Sequence, residues 1–353
     1  MRAFVITGPR RSAVFDVPSP VAAPDQVVVD VERAGVCGTD VEFFTGEMAY
    51  LHQGHAEYPI RPGHEWCGTV SAVGDDVDPA WLGRRVTGDT MLGCGWCRRC
   101  YNGLHYVCED RFEIGIRGGW PGALAEQLAV PAVALRELPD AVDAVAGALA
   151  EPGGNGLRAV QAAALEPSDR VLVLGPGTIG LLAAKFALAG DAEVHVLGLT
   201  PESLAFAKML GVHGAWTAET LPQLPFDAVI DCSNSAALPA LALDLVEPGK
   251  RVVYIGLAGS PSTIDTRTLA LKDVTAVGIL GASRGLAGAI EHFAAGSVDP
   301  RPLVAATVGL DQVGEVLAGS RPAHSGPGPK IHVDPRRLAA TRRQLPAGRP
   351  GPR

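Results

Sequence analysis

Four cysteines fall within the fifteen residues CGWCRRCYNGLHYVC, at Cys94, Cys97, Cys100 and Cys108, with C-x2-C-x2-C-x7-C spacing. Four soft thiolates form a closed tetrahedral set of the kind that holds Zn2+ with no coordination position left for substrate, so such a site would be structural. The loop around them contains glycine, arginine and asparagine and offers little apolar core in which to bury unligated thiols. A redox C-x-x-C is the weaker alternative, because no thioredoxin-like βαβ pattern adjoins it.

A second set must be assembled from distant positions: Cys37 in AGVCGTD, His64 and Glu65 in RPGHEW, and Glu151 in ALAEPGGN. Each alone reads as a buried thiol, a core histidine or a solvated carboxylate. Together they supply the sulfur, nitrogen and oxygen ligands of catalytic zinc sites, where three protein groups leave a position for water or substrate. Further along, VLVLGPGTIG places Gly175, Gly177 and Gly180 in G-x-G-x-x-G register, with Thr178 and Ile179 between the last two glycines. The first glycine permits a tight turn, the second lets backbone approach a pyrophosphate, and the third lets strand and helix pack closely. At the end of the next strand, where that motif expects an acidic residue on the ribose hydroxyls, the chain has Gly198, followed by Leu199 and Thr200.

The elements that would position these groups fall into two regimes. From 1 to about 150, short alternating segments such as AFVI, QVVVDVERAGV, CGTVSAVG and ALAEQLAVP predict an all-β, barrel-like domain. From about 169, apolar strand-length runs alternate with helix-length segments, which predicts βαβ units around a parallel sheet. GLAGAIEHFAAGS predicts a helix, and KIHV at 330–333 a strand that returns to the first domain. Residues 336–353, with six arginines and no hydrophobic period, read as a disordered basic tail; a nucleic-acid arm is the alternative. The chain of 353 residues is 47% hydrophobic and carries a formal charge of −8, which gives little attraction to a phosphate backbone. No signal-peptide-like or membrane-spanning stretch is evident, so a cytoplasmic protein acting on a small molecule is expected, and its seven cysteines do not read as a disulfide framework.

In the order C-G-T-D, G-H-E, the four-cysteine lobe, E-P and G-x-G-x-x-G, residues 1 to 333 closely resemble the zinc-dependent medium-chain dehydrogenase/reductase superfamily, the alcohol and polyol dehydrogenases. The resemblance implies a GroES-like β-barrel catalytic domain (1–152 plus 296–335, with a zinc lobe at about 91–110) and a Rossmann doubly wound domain (153–295). It implies one catalytic and one structural Zn2+, a nicotinamide dinucleotide, and a homodimer or homotetramer. By this similarity Cys37 and His64 are catalytic zinc ligands, Glu151 holds the third-ligand position, and Glu65 is a neighbouring carboxylate that joins or exchanges at the metal. A glutamate at 151 looks more like the sugar and polyol branch, so a secondary hydroxyl of a sugar, cyclitol or polyol is the expected substrate; a simple alcohol or amino-alcohol is the alternative, and a non-catalytic zinc and nucleotide binder the remote one. Thr39 matches the family's relay hydroxyl, or else caps a helix beginning near Asp40. Asp40 would accept the ring N–H of His64 and fix its tautomer, or itself be the cap. Glu42 stands where many relatives have a relay histidine. Phe43, His52 and His55 are candidates to contact substrate, Trp66 and Trp120 to narrow the pocket, and Cys67 and Cys232 read as buried thiols. Gly198 favours NADP(H) over NAD(H), with Thr200 and Ser203 as phosphate donors, and Gly198→Asp is expected to reverse or erase that preference.

Overall fold

The computed structural model describes residues 1–337. Its central β-structure is built on Gln26–Gly35, whose Val27, Val28, Val29 and Val31 are buried; this β-branched run suits a strand with neighbours on both sides. It pairs antiparallel with Glu65–Val73 and with Gln127–Pro131. Arg85–Gly88 and Leu135–Glu137 extend the same sheet. The other side is closed from the far end of the chain. Lys330–Val333 pairs antiparallel with the first strand, His332 opposite Gly35, and in parallel with Val304–Val308. Phe4, Ile6, Trp66, Leu124 and Leu128 fill the core beneath. The four-cysteine lobe hangs from a small antiparallel pair, Met91–Leu92 with Phe112–Glu113.

The second sheet has six parallel strands in the order Gly214–Trp216, Glu193–Leu197, Arg170–Leu174, Phe226–Asp231, Val246–Tyr254 and Thr275–Gly278. This is the doubly wound order in which the strand sequence reverses beside the first strand, Arg170–Leu174, and ligands bind outside the carboxyl ends there. The fold is therefore α/β plus β, a GroES-like domain with a Rossmann domain, as the sequence predicts. One helix, Ala150–Ala163, runs continuously through position 152 and packs on Thr178–Ala189 and Leu286–Ala295. Among the described residues no helix is long and apolar enough to cross a membrane. Of the segment expected to be a basic tail, Arg336 pairs with Asp30 at 2.9 Å and Arg337 donates to the Thr307 carbonyl at 2.6 Å, while 338–353 lie outside the described residues.

Candidate active site

The strand Gln26–Gly35 delivers the chain to Cys37, the N-cap of the helix Gly38–Thr45. The Cys37 N–H donates to the Asp40 carboxylate at 2.8 Å, and the Gly63 N–H donates to its other oxygen at 3.3 Å. One fully buried carboxylate thus holds the backbone at Cys37 and beside His64. Burial pushes this carboxyl up, and the neighbouring His64 charge opposes that shift. The cap is therefore Cys37 rather than Thr39, and Thr39 sits half-buried inside the first turn.

The Cys37 Sγ, a ring nitrogen of His64 and a carboxylate oxygen of Glu65 all lie within 4.8 Å of one another. The hydrogen bond expected from His64 to Asp40 is not formed: Nδ1 and Oδ1 are 3.7 Å apart, and the two Asp40 oxygens accept backbone N–H groups instead. Burial works against a charged imidazole, but Cys37, Asp40 and Glu151 outweigh it and raise His64 well above its usual value. Anionic groups converging on a buried point are a donor set that a divalent cation would neutralise, so the residues fit a bound metal. Glu151, in the first turn of Ala150–Ala163, stays outside the 4.8 Å set. Its Oε1 receives the Asn155 amide at 2.9 Å, and burial above all pushes its carboxyl up to about 7. Glu65 is held from the opposite side, where Lys330 Nζ donates to both carboxylate oxygens at 2.7 Å and to the Val36 carbonyl at 2.9 Å. With Glu65 2% and Lys330 3% exposed, this is a fully buried ion pair, whose disruption from either side leaves an uncompensated charge.

In the lobe, Cys94, Cys97, Cys100 and Cys108 form a second set within 4.8 Å. The Sγ separations of 3.6 Å (Cys97–Cys100), 3.8 Å (Cys97–Cys108) and 3.9 Å (Cys94–Cys100) are edges of a tetrahedron. Four Zn–S bonds of about 2.3 Å require edges of roughly 3.8 Å, so the cage fits zinc. The Cys100 N–H donates to Cys97 Sγ, which above all pulls that thiol down to about 7. Gly93 lets the loop close: a Cβ there would lie 2.6 Å from Cys100 Sγ.

At the glycine turn, Gly175 takes the left-handed region at φ 94° and leads from Arg170–Leu174 into the helix Thr178–Ala189, whose first residues are Thr178 and Ile179. A Cβ on Gly180 would fall 2.0 Å from the Gly175 carbonyl, whereas one on Gly177 would meet nothing within 4 Å. The open face at the helix N-terminus is where a pyrophosphate would approach. Gly198 follows Glu193–Leu197 and donates to the Trp216 carbonyl at 2.9 Å. Thr200 caps the helix Pro201–Met209. Its hydroxyl donates to Ser203 Oγ at 3.0 Å, and the Ser203 hydroxyl lies 3.0 Å from the Thr200 carbonyl, so both expected phosphate donors are already engaged locally.

Several expected substrate contacts are elsewhere. Phe43 is fully buried in the barrel core and Trp66 nearly so, His52 bonds the Gly46 carbonyl at 3.0 Å, and His55 lies edge-on to Tyr50. Trp120 is anchored through Nε1 to the Ala129 carbonyl at 3.1 Å. Cys67 is buried, and Cys232 is only half-buried by accessible surface. Sequence reasoning passes over Asn155 and Lys330. The signal for the latter is a lysine heading the otherwise apolar strand KIHV.

Residues 23–140 match the alcohol dehydrogenase GroES-like domain family, and residues 178–295 match the zinc-binding dehydrogenase family. An L-threonine 3-dehydrogenase of Chelativorans sp. (strain BNC1) is 30% identical over 293 residues, covering 80% of this chain and 84% of that one. Among solved structures, a protein of Sinorhizobium meliloti 1021 described as a zinc-binding dehydrogenase, bound to NADP, is 26% identical with a TM-score of 0.86, covering 95% of this chain and 99% of the other. The alcohol dehydrogenase TADH from Thermus sp. ATN1 is 27% identical with a TM-score of 0.85, again over 95% and 99%.

Proposed function

Because the chain belongs to the zinc-type medium-chain dehydrogenase/reductase superfamily, we propose that it oxidises a secondary alcohol, or reduces the matching ketone, by hydride transfer with a nicotinamide dinucleotide. The observation that carries this reading is the convergence of half-buried Cys37 with buried His64 and Glu65 within 4.8 Å. The helix Ala150–Ala163 adds to it, placing Glu151 within electrostatic reach of that cluster at one end and packing through Gly156 on the helix that starts at the dinucleotide turn.

Cys37 and His64, with Glu65 or Glu151 as the carboxylate, hold a catalytic zinc, and Cys94, Cys97, Cys100 and Cys108 hold a structural one. When bound, zinc supplies Lewis acidity at the substrate oxygen and the dinucleotide supplies the hydride acceptor. Asp40 keeps Cys37 and His64 in place through the backbone, Asn155 orients the Glu151 carboxylate, and Lys330 holds the Glu65 carboxylate in position. Thr39, half-exposed in the turn after Cys37, would relay the hydroxyl proton of the substrate, accepting it while its own hydroxyl proton passes on towards the cofactor ribose. Gly175, Gly177, Thr178, Ile179 and Gly180 receive the pyrophosphate. Gly198 leaves no carboxylate to repel a 2′-phosphate, which supports NADP(H) as the preferred cofactor. The proposed substrate is a sugar, cyclitol or polyol hydroxyl, on the strength of the glutamate at 151. The similarity to an L-threonine 3-dehydrogenase supports an amino-alcohol as the second reading. The open edge strand Thr275–Gly278 of the six-stranded sheet supports a homodimer or homotetramer.

The test is a panel of simple alcohols, polyols, sugars, cyclitols and L-threonine with both cofactors, beside metal analysis of protein purified without chelator. About two zinc ions per chain and turnover of a secondary alcohol are expected. A zinc-free protein that is fully active would overturn the assignment.

A further inference from the structure

A recess of about 180 Å3 opens on the catalytic domain between the segment leading into His64 and the loop after Phe112–Glu113, lined by Pro59, Ile60, Arg61, Ile116, Trp120 and Pro121, with Glu57 at its exposed rim. Arg61 is its anomaly. Among the described residues its guanidinium has no carboxylate within ion-pair distance and no hydrogen-bond partner, and its Nε is shut off from solvent. Other arginines withdrawn from solvent here are compensated: Arg111 meets Glu113 at 2.7 Å, and Arg158 donates to the Leu280 carbonyl at 2.6 Å. Burial without a partner pulls Arg61 down to about 10. The side chain is only partly buried, so its terminal nitrogens stay open to a ligand, and a planar guanidinium offers paired N–H donors whose geometry matches carboxylate and phosphate oxygens.

The walls are stiff enough to hold such a ligand. Pro59 and Pro121 fix their backbone, Trp120 is tied through Nε1 to the Ala129 carbonyl, and a Cβ on Gly115 would already lie 2.8 Å from the Gly63 carbonyl. Little ordering is left to be done on binding, which favours a small ligand. Nothing in the proposed hydride-transfer site uses Arg61.

We propose that this recess is an oxyanion-binding site, in which Arg61 takes the carboxylate or phosphate of a small ligand whose apolar body lies against Trp120 and Ile116. The experiment is titration calorimetry of the zinc-loaded protein with inorganic phosphate and with benzoate, paired with thermal melts. Saturable one-to-one binding of at least one anion is expected, together with a rise in Tm that follows anion concentration. Phosphate binding alone assigns the site to phosphate groups. Stronger benzoate binding, reduced in Trp120→Ala, assigns it to carboxylates with a planar body. Arg61→Met should weaken binding at least tenfold while leaving dinucleotide affinity unchanged. Without anion it should melt no lower than the wild type, since the guanidinium has no protein partner to lose. Should Arg61→Met fold poorly, Arg61→Lys should keep the charge but lose the paired donors, weakening benzoate several-fold. Glu57→Gln should tighten binding of either anion. Absence of saturable binding, or equal affinity in wild type and Arg61→Met, overturns the proposal.

Discussion

At the scale of single residues, Gly198 shows how a side chain missing just after one strand depends on a side chain in the turn that follows another. A carboxylate there would grip the ribose hydroxyls of NAD, so sequence alone presents Gly198→Asp as a simple cofactor switch. The space is already filled: a Cβ at 198 would lie 2.7 Å from Pro176 Cγ, 3.0 Å from its Cδ and 3.1 Å from Leu204 Cδ2. The proline ring belongs to the glycine turn and cannot rotate away, and overpacking of this kind costs about 1–3 kcal/mol, roughly five- to 150-fold if it falls on binding. Gly198→Asp alone is therefore expected to weaken both NAD(H) and NADP(H). Pro176→Ala combined with Gly198→Asp should recover binding and shift the ratio towards NAD(H). Dinucleotide fluorescence titrations of the two variants decide this, and a single Gly198→Asp that binds NAD(H) as tightly as the wild type binds NADP(H) would refute the steric argument.

At the scale of elements, the returning strand Lys330–Val333 does more than close a sheet. It carries Lys330 to Glu65 across 265 residues of sequence, and it buries His332 completely with neither ring nitrogen partnered among the described residues. Burial, reinforced by Lys330 and Arg33, holds the His332 imidazole down to about 3. The folded ring thus stays neutral while the unfolded ring protonates near its ordinary value of about 6.5. Between those limits the unfolded state binds more protons, so stability falls as pH drops below about 6.5, by up to roughly 1.4 kcal/mol per unit. His332→Leu should be at least as stable as the wild type at pH 7 and should lose about 2 kcal/mol less than it between pH 6.5 and 5, read from urea midpoints. An unchanged pH slope would show that the ring finds a proton acceptor in solution. This strand is legible from KIHV, and the barrel and βαβ regimes from their periods. Its contact with Glu65 is not, because nothing local pairs a lysine with a glutamate so far away. The reverse holds for Cys37, His64 and Glu65, whose side chains cluster because each is fixed by its own short motif. The stretch EPGGN, silent about substrate in the sequence, is explained by packing together with the glycine that follows it: a Cβ at Gly153 would meet Phe293 at 2.7 Å, at Gly154 Ala282 at 2.9 Å, and at Gly156 the Ala183 backbone at 2.9 Å. Glycines that are poor helix formers are kept where three neighbours approach one helix.

At the scale of the whole molecule, the four-cysteine lobe is fastened to the cofactor domain. Asp89, at the end of the barrel strand Arg85–Gly88, accepts His105 Nε2 from the lobe and Ser283 Oγ from the loop after the last parallel strand, each at 2.8 Å. The Tyr106 ring lies under two guanidiniums, Arg158 at 4.8 Å and Arg284 at 5.9 Å from its centroid, and Arg158 also donates to the Leu280 and Gly281 carbonyls. That loop leaves the carboxyl end of the sheet, the side on which a dinucleotide binds. The lobe metal should therefore influence cofactor affinity as well as folding. Cys97→Ser is expected to lower Tm, because a structural zinc contributes folding free energy, and to weaken dinucleotide binding with it. Tyr106→Leu separates the two effects, since all four thiols and their zinc remain while both cation–π contacts go. At about 0.5–1 kcal/mol for each contact, the loss corresponds to as much as roughly five- to thirtyfold in dinucleotide Kd, with zinc content unchanged and only a small shift in Tm. Cys37→Ser, which touches none of these contacts, should leave that Kd nearly unaltered. A Tyr106→Leu protein that keeps its zinc and binds the dinucleotide as tightly as the wild type would show that the lobe is fastened to the loop without governing it.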